Sequence, residues 1–265
     1  MQWPEFKGMT CVVTGAGGGI GRRISLDLAR AGAKLMLLDA SEERCQATRQ
    51  EAQSMGASCE AAVLDLTNRA ALQEAAAQSA AAFGAARVLI STIAISGRPD
   101  ALIDLDLAKW QRQIDVNLTS YFSTAQVFAH QMRDAGGGSI VHVGSLAGQF
   151  PQPNSGAYST CKAGVAMLSR VMALEWGAYN IRSNVVSPAM VRTPLSERLY
   201  QDPDVLARRT AMVPLGHVSD PEQISQAVMF LASERANYVT GQDLLVDGGL
   251  SQKLMGLMPV PAAKP

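Results

Sequence analysis

The chain has 265 residues with 23 basic and 23 acidic side chains, so it carries no net field that would draw it to nucleic acid or to an anionic membrane surface. Hydrophobic residues make up 48% and charged residues 17%, which excludes a disordered chain and suits a sheet covered on both faces. Cys11, Cys45, Cys59 and Cys161 form no CxxC pair, which speaks against a disulfide framework and a zinc site; we expect no metal and a reducing, cytoplasmic setting.

Residues 1–10 include Glu5 and Lys7 and lack the apolar stretch of a secretory signal, and no later apolar run reaches membrane-spanning length, so a soluble protein is expected. Short β-rich runs then alternate with longer Ala-rich ones. Strands are predicted over 9–13, 34–38, 58–63, 88–93, 139–143, 181–186 and 244–246, and helices over 19–31, 42–55, 70–83, 110–133 and 158–179. The alternation predicts a single α/β domain over 1–265 with a doubly wound, parallel, seven-stranded sheet and helices on both faces. Residues 188–221 are punctuated by Pro188, Pro194, Pro203, Pro214 and Pro221, the pattern of a substrate lid, and 251–265 read as an irregular tail.

The first strand runs straight into Thr14-Gly15-Ala16-Gly17-Gly18-Gly19-Ile20-Gly21, followed by a helix. Glycines there permit positive φ, close backbone approach to a pyrophosphate and tight helix-on-strand packing, while the helix N-terminus attracts the anion. Asp39, where the second strand ends, lies 18 residues beyond Gly21. A carboxylate there accepts hydrogen bonds from ribose hydroxyls and repels a 2′-phosphate, which points to NAD over NADP; the alternative reading is a cap for the next helix. Asp65 and Leu66, after the third strand, are placed to flank the adenine, with Asp65 also open to a capping role.

The fifth strand delivers Ser145 at its carboxyl end. Tyr158 follows thirteen residues later, and Lys162 one helical turn beyond it on the same face. A phenol titrates near 10 in isolation, and a neighbouring ammonium favours its phenolate. Taken alone the pair is ordinary helix surface; its coincidence with the glycine turn, Asp39 and Ser145 at one sheet edge is what gives it chemical meaning.

These motifs, together with Asn117 in Val116-Asn117-Leu118, Pro188 to Thr193 and Val246-Asp247-Gly248-Gly249, resemble the short-chain dehydrogenase/reductase family over nearly the whole chain. The resemblance implies a Rossmann-type fold and hydride transfer between NAD(H) and a secondary alcohol or ketone. It implies a catalytic set of Asn117, Ser145, Tyr158 and Lys162. Tyr158 would be the general acid and base, Ser145 would bind the substrate oxygen, Lys162 the nicotinamide ribose, and Asn117 a water leading from Lys162 to solvent. Cofactor contacts are implied for Gly15, Gly18, Gly19, Ile20, Gly21, Asp39, Asp65, Leu66, Ser91, Ile93, Tyr158, Lys162, Pro188, Val191 and Thr193. A homotetramer or dimer is expected from the family, helped by the Ala-rich stretch 163–173.

Two departures stand out. Most relatives carry Asn-Asn-Ala-Gly after the fourth strand, whereas this chain has Ser91-Thr92-Ile93-Ala94; the usual Pro-Gly is Pro188-Ala189. The first motivates an alternative, a catalytically silent NAD-binding scaffold. Sugar-nucleotide epimerases resemble a longer architecture, and enoyl reductases of the superfamily space Tyr and Lys further apart. The substrate is expected to meet residues 96–100, 149–155 and 190–214, where Phe150, Met190, Leu195, Leu199 and Met212 hint at an apolar or aromatic molecule.

Overall fold

The computed structural model describes residues 2–95, 101–194 and 196–253; the expectations on 96–100, Leu195 and 254–265 lie outside them. Seven strands, β1 (Thr10–Thr14), β2 (Lys34–Asp39), β3 (Cys59–Val63), β4 (Val88–Ser91), β5 (Gly138–Val143), β6 (Ile181–Pro188) and β7 (Asp243–Val246), pair in parallel in the order β3-β2-β1-β4-β5-β6-β7. The order reverses between β1 and β4. A crevice opens there at the carboxyl ends of the strands, the place where open α/β sheets take their ligands.

Burial on both faces accounts for the near-continuous apolar strands. In β1, Cys11 and Val13 face one core and Val12 the other, as strand alternation requires. The first core packs α1 (Gly19–Arg30), α2 (Glu42–Ser54) and α9 (Pro221–Ala232) through Ile24, Ala52 and Val228. The second packs α3 (Arg69–Phe83), α5 (Ser120–Asp134) and α6 (Gly156–Trp176) through Leu72, Phe128 and Met172. Each large apolar side chain so buried contributes about 1.5–3 kcal/mol relative to exposure. Buried Asp27 ties α1 to α9, accepting from Arg23 at 2.9 Å and Ser225 Oγ at 2.7 Å.

The predicted 110–133 helix is in fact interrupted. It begins earlier as α4 (Leu107–Ile114), where Asp106 caps Ala108 and Lys109, passes through a π turn at Asp115–Thr119, and continues as α5. The predicted strand 88–93 stops at Ser91, because Thr92 turns its hydroxyl back onto the Thr14 carbonyl at 2.8 Å. In 188–221 the prolines do more than interrupt. Pro203 opens α8 (Pro203–Met212) and Pro221 opens α9, each at the first turn, where its missing N–H costs nothing. Helix α9 is absent from the sequence expectations although Asp220 and Gln223 form a capping box. The segment also holds the short α7 (Glu197–Tyr200), and its two ends are pinned by a parallel bridge between Val191 and Ser219.

Candidate active site

The turn after β1 is closed by contacts that only glycine tolerates. Gly15 has φ +68°, and a Cβ there would sit 2.7 Å from Thr92 Oγ1. A Cβ on Gly21 would fall inside the carbonyl oxygen of Gly15 and 2.6 Å from the same Thr92 hydroxyl. Helix α1 starts at Gly19 after Gly18 at its N-cap, with no side-chain cap and no acidic residue in its first turn, so its first N–H groups are left for an external anion.

Asp39 is 6% exposed, and its two oxygens accept from Gly17 N at 2.9 Å and Ser41 N at 2.8 Å. The cap of α2 is Ser41, so Asp39 belongs to the glycine turn and not to the helix start. Arg44 stands 3.8 Å from it. Asp65 likewise is not the cap of α3, a task done by Asn68. It accepts from Thr67 N at 2.9 Å and from the Thr67 hydroxyl, which hold its carboxyl below the usual range, and it pairs with Arg112.

All these groups line one cavity of 1010 Å³: Gly15, Gly18, Gly19, Ile20, Gly21 and Asp39 on one side, Asp65 and Leu66 beside them, and Ile93 on the floor. Ser91 does not line it. As the last residue of β4 its side chain turns into the sheet, 0% exposed, while Thr92 and Ile93 reach the cavity. Pro188, Val191 and Thr193 form the far wall, and Thr193 comes so close to Gly19 that a Cβ there would meet it at 2.9 Å.

Ser145, Tyr158 and Lys162 share this cavity. Ser145 leaves β5 in extended conformation, its hydroxyl accepting from Ala147 N at 3.1 Å. Burial raises the Tyr158 pKa, and the neighbouring Ser145 hydroxyl only partly opposes the rise. The lowering expected from Lys162 is not the dominant effect, because Nζ, 5.8 Å from the Tyr158 ring centre, is bonded elsewhere: to Val143 O at 2.9 Å and Tyr121 Oη at 3.0 Å. Burial lowers Lys162 from 10.5 to about 7.

Asn117 sits in the π turn, fully buried and off the cavity wall. Its amide oxygen accepts from Ile95 N at 2.8 Å and its amide nitrogen donates to Ile95 O at 2.9 Å. The side chain therefore fastens the segment after β4 to the π turn that leads into α5. On the substrate side Phe150, Met190 and Met212 line the cavity; Leu199 does not.

The family profile described as enoyl-(acyl carrier protein) reductase matches residues 15–251. A 3-oxoacyl-[acyl-carrier-protein] reductase of Thermotoga maritima is 34% identical, the match covering 93% of this chain and 99% of that one. A cis-4-hydroxycyclohexanecarboxylate dehydrogenase of Sinomonas cyclohexanicum is 37% identical over 92% of this chain and 97% of its own. Carveol dehydrogenase from Mycobacterium avium, solved in complex with NAD, superposes with a TM-score of 0.90 at 28% identity, covering 94% of this chain and 99% of that one.

The chain belongs to the short-chain dehydrogenase/reductase family.

As a short-chain dehydrogenase/reductase it is an oxidoreductase acting on CH–OH groups, in line with the names of its relatives, and a silent scaffold is not favoured. Sequence reasoning missed two buried residues behind the site of this family member. Tyr121 touches Lys162, and its signal was available in part, one helical turn after Asn117. His142 lies with its ring centre 5.4 Å from that of Tyr121, and burial lowers it to about 3, leaving it neutral.

Proposed function

We propose that this enzyme interconverts secondary alcohols and ketones with NAD as its cofactor, Tyr158 acting as general base in oxidation and general acid in reduction. The observation that carries the reading is that Ser145, Tyr158 and buried Lys162 line one cavity with a glycine turn tied to Asp39. The residues suit a dinucleotide: an uncapped helix start for the pyrophosphate, and the buried carboxylate of Asp39 for the ribose hydroxyls, with Arg44 3.8 Å from it. Bound there, NAD would supply the hydride acceptor and NADH the donor.

The chain's own groups do the rest. Ser145 donates to the substrate oxygen and holds it beside Tyr158. Tyr158 takes the hydroxyl proton in oxidation and returns it in reduction, helped by the neighbouring Ser145 hydroxyl and by the nearby ammonium of Lys162. Asn117 keeps the segment after β4 in place through Ile95, and Pro188, Val191 and Thr193 shape the nicotinamide end. The apolar lining of Phe150, Met190 and Met212 favours an alicyclic or similarly apolar alcohol. Exposed Phe122 on α5, with Met167, Val171 and Leu174 on α6, supports assembly into a dimer or tetramer through these helices, to be measured by light scattering. Four buried free cysteines suit a reducing cytoplasm, and among the described residues no helix is long and apolar enough to cross a membrane.

The test is reduced-nicotinamide absorbance with NAD and a panel of cyclohexanol, cis-4-hydroxycyclohexanecarboxylate, galactitol and D-threitol. Tyr158→Phe should lower turnover by about 10²–10⁴-fold and leave NAD affinity nearly unchanged. Full activity in that variant removes Tyr158 from the chemistry.

A further inference from the structure

Lys162 is 1% exposed, so its ammonium depends on acceptors inside the protein. Val143 O supplies one and Tyr121 Oη the other. Tyr121 is itself fully buried, and its single hydroxyl proton goes to the Ile93 carbonyl at 2.6 Å, with Val143 O more distant at 3.2 Å. With that proton committed, a phenol oxygen lone pair is what Lys162 meets. A hydrogen bond donated by an ammonium is about twice as strong as one from a neutral amine, so this contact favours the charged lysine.

The groups facing Nζ are Tyr158 and Cys161 on α6, Tyr121 on α5 and His142 on β5; none of the described carboxylates is hydrogen-bonded to it. Burial works against the charge, and His142, being neutral, adds no repulsion. Tyr121 remains a phenol, because burial raises its own pKa well above 10. An ammonium has three protons; Val143 and Tyr121 take two, which leaves one for the cavity that Lys162 shares with Tyr158.

We propose that Tyr121 is a positioning residue of this site: its hydroxyl, locked by the Ile93 carbonyl, keeps Lys162 protonated and turns its remaining N–H toward Tyr158. The proposal rests on the oxidoreductase reading given above and extends it to a second tyrosine. It also gives a task to the unusual segment after β4, whose backbone at Ile93 orients the phenol.

The direct test follows the ¹³Cε resonance of Lys162, assigned with Lys162→Met, through a pH titration of the wild type, of Tyr121→Phe and of protein carrying 3-fluorotyrosine at position 121. Removing the acceptor should lower the Lys162 midpoint by about half a pH unit or more, roughly threefold in proton affinity. The fluorinated phenol, a weaker acceptor of nearly the same shape, should lower it by less. In parallel, the acidic limb of kcat/KM for oxidation of the best panel alcohol should move upward in Tyr121→Phe, as Tyr158 loses part of its cation. An unmoved Lys162 midpoint overturns the proposal. Should Tyr121→Phe fail to fold, the fluorotyrosine protein decides by the same criterion. Tyr158→Phe and the wild type, run alongside on the alcohol panel, separate the two claims: a wild type that turns over no panel alcohol sinks the oxidoreductase reading and full activity in Tyr158→Phe removes Tyr158 from the chemistry, while an active wild type and inactive Tyr158→Phe with an unmoved Lys162 midpoint sink only the role of Tyr121.

Discussion

Substituting Gly21 by alanine probes whether the turn after β1 holds the dinucleotide. The added methyl would overlap the Gly15 carbonyl oxygen and lie 2.6 Å from Thr92 Oγ1, and the first of these is backbone with no flexible end to swing away. Reaching ordinary contact near 3.5 Å requires a shift well beyond about 1 Å. Overpacking of this kind costs about 1–3 kcal/mol, which for a chain of this length lowers the melting temperature by roughly 2–12 °C. The same shift spoils the aim of the N–H groups at the start of α1. Losing one charge-assisted hydrogen bond costs about 1.5–3 kcal/mol, so NAD affinity should fall about 10–100-fold by calorimetry. Gly177→Ala is the control. Its φ is −56° and nothing stands within 4 Å of the new methyl, so stability should rise by about 0.4–1 kcal/mol with NAD binding unchanged. If Gly21→Ala binds NAD within about threefold of wild type, the turn is not the pyrophosphate site.

Asp39→Ala removes the acceptor of Gly17 N and Ser41 N and leaves Arg44 without its carboxylate neighbour. NAD use should weaken while the ratio of kcat/KM for NADP over NAD rises about tenfold or more, since a 2′-phosphate then meets only the arginine; an unchanged ratio would show that Asp39 does not read the ribose. His142 offers a stability test. The unfolded imidazole takes up a proton near 6.5 and the folded one only near 3, so between those values the unfolded state binds more protons and each step down in pH favours unfolding. His142→Leu should therefore show a smaller fall in melting temperature between pH 7 and about 4.5 than the wild type, and equal falls would mean that His142 is not the group being titrated.

What the sequence made legible was local. The strands announce themselves as apolar runs, the glycine turn by its place after β1, and the Tyr158/Lys162 pair by a one-turn spacing that no tertiary contact can alter. Asp39 was ambiguous until the structure gave the cap of α2 to Ser41. The π turn at Asp115–Thr119 was not legible, because it adds a residue to one turn of an otherwise regular helical pattern and so turns Asn117 onto Ile95. Tyr121 was hidden for a related reason: its importance arises where α5 meets α6 behind β5, a meeting that sequence spacing does not encode. The protonation of Tyr158 also needed coordinates, since its burial sets the direction of its shift against the opposing influence of Ser145.

The bridge between Val191 and Ser219 is reinforced by Arg192 N donating to Ser219 O at 2.8 Å and Ser219 N to Met190 O at 3.1 Å. Helices α7 and α8 therefore hang from a stem that closes below them, and the entropy of closing such a loop changes little with its length. Selection can lengthen, shorten or rewrite this part of the wall without moving Ser145, Tyr158 or Lys162, which are mounted on β5 and α6. A change of diet for such an enzyme needs only a new awning over an old hearth.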